Sequence, residues 1–429
     1  MAMTQTNQAI EVDGERLSPP PPPPAASPAV SAVLENEDLV GEILLRLAFP
    51  TTLVRAALAC RRWLRVASDP SFLRRFRELH PPRLLGFYVT SKIPRAHPLF
   101  VPMPPPARPP ELDPVVLRRG NFSLAYEGYT TSIYQCRNGS ILLFKKRHDR
   151  RELKYAVHRP LQHPERGLLA IPFSSTHDDD DDDDVEPDLG FDGENVWGFH
   201  FGEDGGSQLY RLSVMFTPRG ATSAWFYAFR DGGWHVHTKA TAQLPGLPPE
   251  SAGFVVVRDK AYLAATASSV LVLDLKSSSL YTIQLPDGVE FPPVMMAYND
   301  RRHDVLFGRA SDDSGVYIAD LKEPQLRIWL LKHGSTGWTL VDTICLQSMC
   351  ANLHINCVGG DSRVVYMDYV GDDAEFLFLK TDECALYLDV KSRQLHKVYE
   401  VTEKDEILFS IMPFMMIWPP IFPVRKEIS

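Results

Sequence analysis

Three copies of one short phrase recur in the second half of the chain, and each predicts a strand, a polar turn and a second strand. The copies are Leu271–Lys276, Tyr317–Lys322 and Leu386–Lys391, and another apolar run follows each of them. The spacing of the first two copies is close to the ~40–50 residues of one propeller blade. The third copy is not a whole number of such periods away. The pattern therefore predicts a propeller of roughly six to seven blades, and it also allows an irregular β sandwich.

The same pattern of short predicted strands and turns extends over most of the chain. From Val115 onward, short apolar runs alternate with Gly, Asp, Asn and Ser clusters, and no long amphipathic helix interrupts them. The runs 225–229 and 234–237 are joined by an Arg-Asp-Gly-Gly turn and predict a hairpin. We therefore predict a large, mainly β domain over residues 115–424, with an irregular propeller as its fold. The aspartate-rich segment 177–188 is expected to be a disordered acidic loop within it.

The segment before the β region has a helical pattern instead. Residues 34–82 carry apolar positions at helical spacing, with Asn36 as the expected N-cap of the first helix and Pro50 as its end. Thr51 or Thr52 is expected to cap the second helix, and Asp69 followed by proline marks a further helix start. Proline-rich segments flank this module, so residues 1–33 are predicted to be a disordered tail and 83–114 a linker. The fold class is α+β.

Charge, cysteine content and the apolar C-terminal segment indicate which partners and which cellular location to expect. The chain has 54 acidic and 45 basic residues, a formal net charge of −9, which argues against nucleic acid as a partner despite the arginine-rich segment 53–83. Its 6 cysteines are few and scattered, which favours reduced thiols and an intracellular location, in the nucleus or the cytoplasm. The apolar segment 411–424 is interrupted by prolines, so it is expected to close the β domain and not to span a membrane.

A combination of motifs in the helical module resembles the F-box. A Leu-rich first helix begins at Leu34, a Cys-Arg-Arg-Trp step ends at Trp63, and a Ser-Asp-Pro-Ser-Phe sequence ends at Phe72. Glu35 stands where the family usually has proline. Two residues are inserted before Pro50, so the turn between the first two helices is expected to be longer than usual.

The resemblance implies docking onto the Skp-type adaptor of a cullin-based ubiquitin ligase. Apolar residues of the module would form a helix-in-groove interface, with Trp63 as its main hot spot. The predicted adaptor-binding residues are Leu34, Ile43, Leu44, Leu47, Pro50, Leu53, Val54, Cys60 and Trp63. The alternative interpretation is that all nine belong to the core of the helical module. Leu39 and Val40 are predicted to lie in that core.

The β region is similar to the F-box-associated domains found widely in plants. The similarity rests on Cys136–Leu143 and on Tyr155–Leu161, which match the opening strand pair and following turn of those domains. It implies a substrate-recognition subunit of a Skp–cullin–F-box ligase, which captures an unknown protein substrate through the β domain. The competing hypotheses are a β-propeller enzyme and an interaction scaffold that does not assemble a ligase.

Catalytic, metal and cofactor chemistry finds little support in the sequence. Cys345, Cys350, His354 and Cys357 lack the paired short spacings of common zinc modules. His235 and His237 alternate on one predicted strand, with no third ligand nearby. Phosphate-binding glycine loops, nucleophile elbows and HExxH motifs are absent from the sequence. We therefore predict no catalytic residue, no cofactor and no metal.

Overall fold

The computed structural model divides the chain into a helical unit, which includes residues 33–80, and a β unit between Pro82 and Ile421. The described residues are 33–47, 49–80, 84–91, 97–105, 120–147, 153–161, 168–171, 195–202, 208–216, 220–244, 254–291, 304–322, 324–355, 365–402, 408–418, 420 and 422. The predicted tail, except for Val33, and the predicted acidic loop lie outside them. Among the described residues, no helix is both long and apolar enough to cross a membrane.

Among the described residues, four helices of the helical unit have both ends defined: α1 Glu37–Leu45, α2 Pro50–Ala57, α3 Arg61–Ser68 and α4 Pro70–Leu79. Residues 33–35 are also helical. The Asn36 side chain caps α1 by accepting from the backbone N–H groups of Asp38 at 2.9 Å and Leu39 at 3.2 Å, as predicted. Asp69 caps α4 in the same way, through the N–H groups of residues 71 and 72. These side chains satisfy backbone donors that have no partner inside the helix.

The start of α2 differs from the prediction. Pro50 opens this helix and does not end the preceding one, and the N-cap is Phe49, which makes no capping hydrogen bond through its side chain. The predicted caps Thr51 and Thr52 are therefore wrong. The physical reason is that proline lacks an N–H group and has a fixed φ near −65°, so it fits the first helical position.

One apolar stripe from each of α1, α2 and α4 forms the core of the helical unit. Val40 and Leu44 from α1, Leu53 from α2 and Phe76 from α4 are fully buried. Val40 and Leu44 are four residues apart and so lie on one face of the helix. The prediction that Val40 belongs to the core is confirmed.

The described strands of the β unit form six antiparallel sheets, and together they are a six-bladed β-propeller. Five of the sheets have four strands in sequence order. The first contains β3 Tyr129–Arg137, β4 Ser140–Arg147, β5 Leu153–His158 and β6 Leu168–Ile171. The second contains β7 Asn195–Phe201, β8 Leu209–Phe216, β9 Ala221–Arg230 and β10 Gly233–Gln243. The third contains β11 Val255–Val257, β12 Lys260–Thr266, β13 Ser269–Asp274 and β14 Ser279–Gln284.

Two more four-stranded sheets follow. The fourth contains β15 Val305–Arg309, β16 Gly315–Lys322, β17 Gln325–Lys332 and β18 Trp338–Cys345. The fifth contains β19 Tyr366–Val370, β20 Phe376–Lys380, β21 Cys384–Asp389 and β22 Gln394–Glu400. Helix α5, Leu346–Asn352, precedes β19, and a 3-10 turn, Asp372–Ala374, joins β19 to β20. The hairpin predicted around the Arg-Asp-Gly-Gly turn is confirmed as β9 and β10, with Arg230 opposite Gly233.

Both ends of the β unit contribute to the sixth sheet, in which β1 Leu84–Ser91 lies between β2 Leu99–Pro102 and β23 Leu408–Met415. The prediction of a linker over residues 83–114 is therefore wrong for β1 and β2. Residues 85–89 of β1 are all buried, so this segment is a core strand. The prediction that the apolar C-terminal segment helps to close the β domain is confirmed for its part in β23, which contacts β3 and β19. Closure in this way removes the open edge that a linear array of sheets would have.

Apolar clusters fill the space between neighbouring sheets. One of them joins the third sheet to the fourth and includes Val270, Val272, Val316 and Ile318, all fully buried. Another joins the fifth sheet to the closing sheet and includes Phe87, Phe378 and Ile411. Because each sheet packs on the next, the propeller has a series of inter-sheet cores.

The cysteines differ in part from the prediction. Cys60, Cys136, Cys345 and Cys384 are free thiols. Cys350 is disulfide-bonded, so the prediction of reduced thiols is wrong for this residue. Cys350 is fully buried and lies in α5. Sequence spacing gave no signal for this bond because disulfide pairing depends on positions in the folded chain.

Candidate functional site

The nine predicted adaptor-binding residues fall into three groups by burial. The residues that are buried in the helical unit are Leu44, Pro50 and Leu53. The half-buried residues are Leu47, Val54 and Trp63. The exposed residues are Leu34, Ile43 and Cys60. The structure therefore places three of the nine inside the core, where they support the surface, while adaptor contact by the other six stays a prediction.

Helix α1 separates its apolar residues between an inner and an outer face. Val40 and Leu44 point into the core, whereas Leu39 and Ile43, one position earlier in each case, are 43% and 36% exposed. A shift of one residue turns a side chain by about 100° around the helix axis, which is enough to move it to another face. The prediction that Leu39 lies in the core is therefore wrong, and this leucine joins Ile43 on the outer face.

Sequence reasoning also missed an exposed leucine outside α1. Leu58 follows α2 directly and is 42% exposed. We name Leu34, Leu39, Ile43 and Leu58 the outer apolar residues; Val33 and Leu79 are further exposed aliphatic side chains of the helical unit. The exposure of Leu58 could have been predicted from the sequence, because this leucine comes directly after the short apolar run of α2, where the helix ends.

Polar contacts fix the start of α3 and its position against α1. The Cys60 Sγ accepts a hydrogen bond from the backbone N–H of Trp63 at 3.5 Å and so caps α3. Arg62 donates to the Leu34 carbonyl oxygen at 3.3 Å, and Arg65 pairs with Glu37. These contacts hold the half-buried Trp63 close to the beginning of α1. Cys60 thus has a structural role that the sequence did not indicate.

Two further groups stabilise the last helix of the unit. The Ser71 hydroxyl and the N–H groups of Phe72 and Ser71 donate to Asp69, and these hydrogen bonds lower the pKa of this carboxyl group. A ring nitrogen of His80 lies 2.7 Å from the Leu45 carbonyl oxygen, so the end of α4 is held at the end of α1. The outer apolar residues are therefore carried by helices whose ends are fixed.

The described residues that were weighed for metal chemistry lie in two parts of the β unit, on β10 and in the segment from the end of β18 through α5 to His354. His235 and His237 are exposed on β10, and Cys345 is an exposed thiol at the end of β18. In the described part of the chain, no three His, Cys, Asp or Glu residues are grouped so that they could hold a metal ion. Cys357 lies outside the described residues.

The segments that resemble the opening of a plant F-box-associated domain form its first complete sheet. Cys136–Leu143 spans the hairpin of β3 and β4, and Tyr155–Leu161 contains most of β5. Asn138 and Gly139 form the hairpin turn with positive φ values of 48° and 71°. The Asn138 side chain accepts from the backbone N–H of Trp418, so this turn also holds the C-terminal part of the propeller.

The solved structures that match the chain are distant from it in sequence and in structure. A protein of unknown function from Desulfotomaculum acetoxidans is 11% identical, with 67% of this chain and 74% of that chain covered and a TM-score of 0.34. A protein from Lactobacillus plantarum is 11% identical, with 64% and 71% covered and a TM-score of 0.30. An oligogalacturonate lyase in complex with manganese is 9% identical, with 65% and 82% covered and a TM-score of 0.32. These likenesses support no inference about function. No curated protein matches the chain.

Family models match both units. An F-box-like model matches residues 37–78, which contain all four helices of the helical unit except the last residue of α4. A model described as the β-propeller of F-box protein AT5G49610-like matches residues 132–422, from within β3 to beyond β23. The predicted order of an F-box followed by a propeller-like β domain is thus confirmed. The chain belongs to the family of F-box proteins that carry an AT5G49610-like β-propeller.

Proposed function

We propose that this protein is the substrate-recognition subunit of a Skp–cullin–F-box ubiquitin ligase. The F-box unit binds the Skp-type adaptor and, through it, a cullin scaffold, while the propeller binds a protein substrate. The observation that carries the proposal is that three of the outer apolar residues, Leu39, Ile43 and Leu58, are exposed within the segment that matches an F-box-like model. The protein is a non-catalytic adaptor in this proposal, and it acts in the nucleus or the cytoplasm.

The burial of apolar area supplies the driving force for adaptor binding. Each fully buried aliphatic side chain contributes about 1.5–3 kcal/mol relative to its exposed state. The outer apolar residues are already about 40% exposed, so a partner helix covers them without any refolding of the module. Trp63 is half-buried and adds a large aromatic side chain, the type most often found at hot spots. Leu44 and Leu53 act indirectly, because both are fully buried in the core of the helical unit.

Adaptor affinity tests the proposal directly. A purified Skp-type adaptor is titrated onto the full chain by calorimetry. Replacement of Trp63 by Ala is expected to weaken binding by roughly 2 kcal/mol or more, about thirtyfold, because a large aromatic contact is lost. Ile43→Ala removes a smaller exposed side chain and is expected to weaken binding by about 1 kcal/mol.

Matched controls separate docking from general effects. Val236 is an exposed aliphatic residue of β10, so Val236→Ala removes a similar surface from the other unit and should leave adaptor affinity unchanged. Arg46 is exposed in the F-box unit itself, so Arg46→Ala should also have little effect. Wild-type protein that fails to bind the adaptor contradicts the proposal. Binding of the adaptor without incorporation of a cullin favours the scaffold without ligase activity.

A further inference from the structure

The inner strands of the propeller surround a cavity of about 150 Å³. Its lining comes from five of these strands, β3, β7, β11, β15 and β19, and from the 3-10 turn after β19. The ionisable side chains of the lining are Arg137, His200, Arg309, Asp368, Tyr369 and Asp372. His200 and Arg309 are buried and the other four are half-buried, so this polar lining is unusual for a position where apolar side chains could fill the space.

His200 is a buried residue of the lining with one unsatisfied ring nitrogen. It lies in β7, is 2% exposed, and its Nδ1 atom has no hydrogen-bond partner among the described residues. A buried polar nitrogen without a partner costs about 1–3 kcal/mol, so its presence requires an explanation. The nitrogen belongs to a residue that lines the cavity, where a bound molecule would provide the missing partner.

Two arginines give the surroundings of His200 a positive character. Arg137 ends β3, Arg309 ends β15, and both line the same cavity. Burial and the positive charges of these two residues hold the pKa of His200 well below its ordinary value, so the imidazole is neutral at pH 7. A neutral imidazole still has one N–H donor, and each guanidinium has five. The three residues therefore offer several donors to one small volume.

Of the acidic residues of the lining, Asp368 is engaged with groups outside the cavity, whereas Asp372 is an ion-pair partner of Arg137. Asp368 forms an ion pair with Lys380 at 2.8 Å and also accepts from the backbone N–H of Ile411. Asp372 lies 3.7 Å from Arg137, a distance too long for a good hydrogen bond. Asp372 is also the more exposed member of that pair, at 40% against 20% for the arginine side chain.

Arg309 pairs with a carboxylate that is not part of the cavity lining. Its Nη2 atom donates to Asp313 Oδ1 at 2.9 Å. This pair fixes the position of the Arg309 guanidinium beside the cavity.

We propose that the central cavity of the propeller binds one small oxyanion, a phosphate or carboxylate group, through Arg137, His200 and Arg309. Guanidinium groups match the paired oxygens of both groups, and in the tautomer that carries its proton on Nδ1 the His200 imidazole donates to a further oxygen. A water molecule takes about 30 Å³ in the liquid, so the cavity has room for one such group and few additional atoms. The site is within the propeller and does not depend on adaptor binding.

Calorimetric titration of the purified full chain tests this site, with inorganic phosphate in one arm and acetate in the other. We expect one site per chain in at least one arm, and the arm with the tighter binding identifies the kind of oxyanion. Arg137→Gln removes the more accessible guanidinium and should weaken binding tenfold or more. Arg137→Lys keeps the charge but loses the fork geometry, so it should weaken binding less.

The matched control is Arg393→Gln. Arg393 is 44% exposed, pairs with Asp342 at 2.6 Å, and lies outside the cavity lining. This variant removes the same charge and should bind the oxyanion as the wild type does. Circular dichroism and thermal unfolding verify that each variant is folded, and the wild-type titration decides the question if Arg137→Gln is not. The proposal is overturned if neither anion binds, or if Arg393→Gln weakens binding as much as Arg137→Gln.

Discussion

Closure of the propeller depends on one aromatic side chain of the last strand. Phe414 is 1% exposed, and its ring meets the rings of Tyr88, Phe100 and Phe122 edge-on, with centroid distances of 6.2, 6.2 and 5.5 Å. Replacement of a core phenylalanine by alanine costs about 3–5 kcal/mol through lost apolar burial and the remaining cavity. Each edge-to-face pair contributes roughly 0.5–1.5 kcal/mol beyond area burial. For Phe414→Ala, we therefore expect the free energy of unfolding to fall by about 4–5 kcal/mol, the upper end of the range for a core phenylalanine.

Urea unfolding of the full chain, followed by circular dichroism in the β region of the spectrum, measures this loss. The matched control is Phe409→Ala, because Phe409 lies on the same strand but is only half-buried. It is expected to cost about 1–2 kcal/mol. The transition of the F-box unit should not move in either variant. A loss below about 2 kcal/mol for Phe414→Ala, or one no larger than for Phe409→Ala, would refute the reasoning.

Three further predictions address other parts of the propeller. Gly86→Ala places a Cβ atom 2.5 Å from the Val101 carbonyl oxygen. Thermal unfolding should therefore show a decrease of about 1–3 kcal/mol in the free energy of unfolding. Asp320 is 1% exposed and accepts from Arg327 Nε at 2.8 Å. Asp320→Ala should therefore lower the free energy of unfolding, measured with urea, by about 3 kcal/mol, and by less in a chain that also carries Arg327→Met. His200 is held neutral in the fold, so the unfolded chain binds more protons below its ordinary pKa of 6.5. Stability should therefore fall as pH drops below that value, by up to about 1.4 kcal/mol per pH unit, and His200→Asn should reduce this slope.

The helical unit shows which local signals the sequence carries reliably. The caps at Asn36 and Asp69 are readable because each depends on contacts within three residues along the chain. The faces of α1 are less readable, because Leu39, Val40, Ile43 and Leu44 are all aliphatic. Which pair faces inward depends on how α1 packs against the other helices. Local pattern therefore identified the helix but not its exposed face.

The first two strands of the β unit were missed for a different reason. Prolines dominate the composition of residues 98–114, and they suggested a linker. The run of β1 is continuously apolar, as expected for a strand buried on both faces. Its partner β23 lies at the other end of the unit, with Phe87 opposite Pro413. No local pattern can indicate a pairing between segments so far apart in sequence.

The repeated phrase identified hairpins and not blades. Its first and third copies lie in β13 and β21, the third strands of their sheets, whereas the second copy lies in β16, the second strand of its sheet. The irregular spacing of the copies follows directly from this difference. Three apolar residues followed by an aspartate are typical of the last part of one strand and the turn after it. This pattern is local, so it is found on different strands of different sheets.

The position of β1 also determines where the two units of the chain can be separated. A fragment that begins at Val115 lacks β1 and β2, so β23 loses its partner strand and Phe414 loses the rings of Tyr88 and Phe100. Such a fragment has an open sheet edge and exposed apolar area, both of which favour aggregation. A fragment that begins at Pro82 retains the closing sheet and all of its inter-sheet contacts. The propeller therefore begins directly after the F-box helices, and any test of substrate binding without the F-box must keep the chain from Pro82 onward.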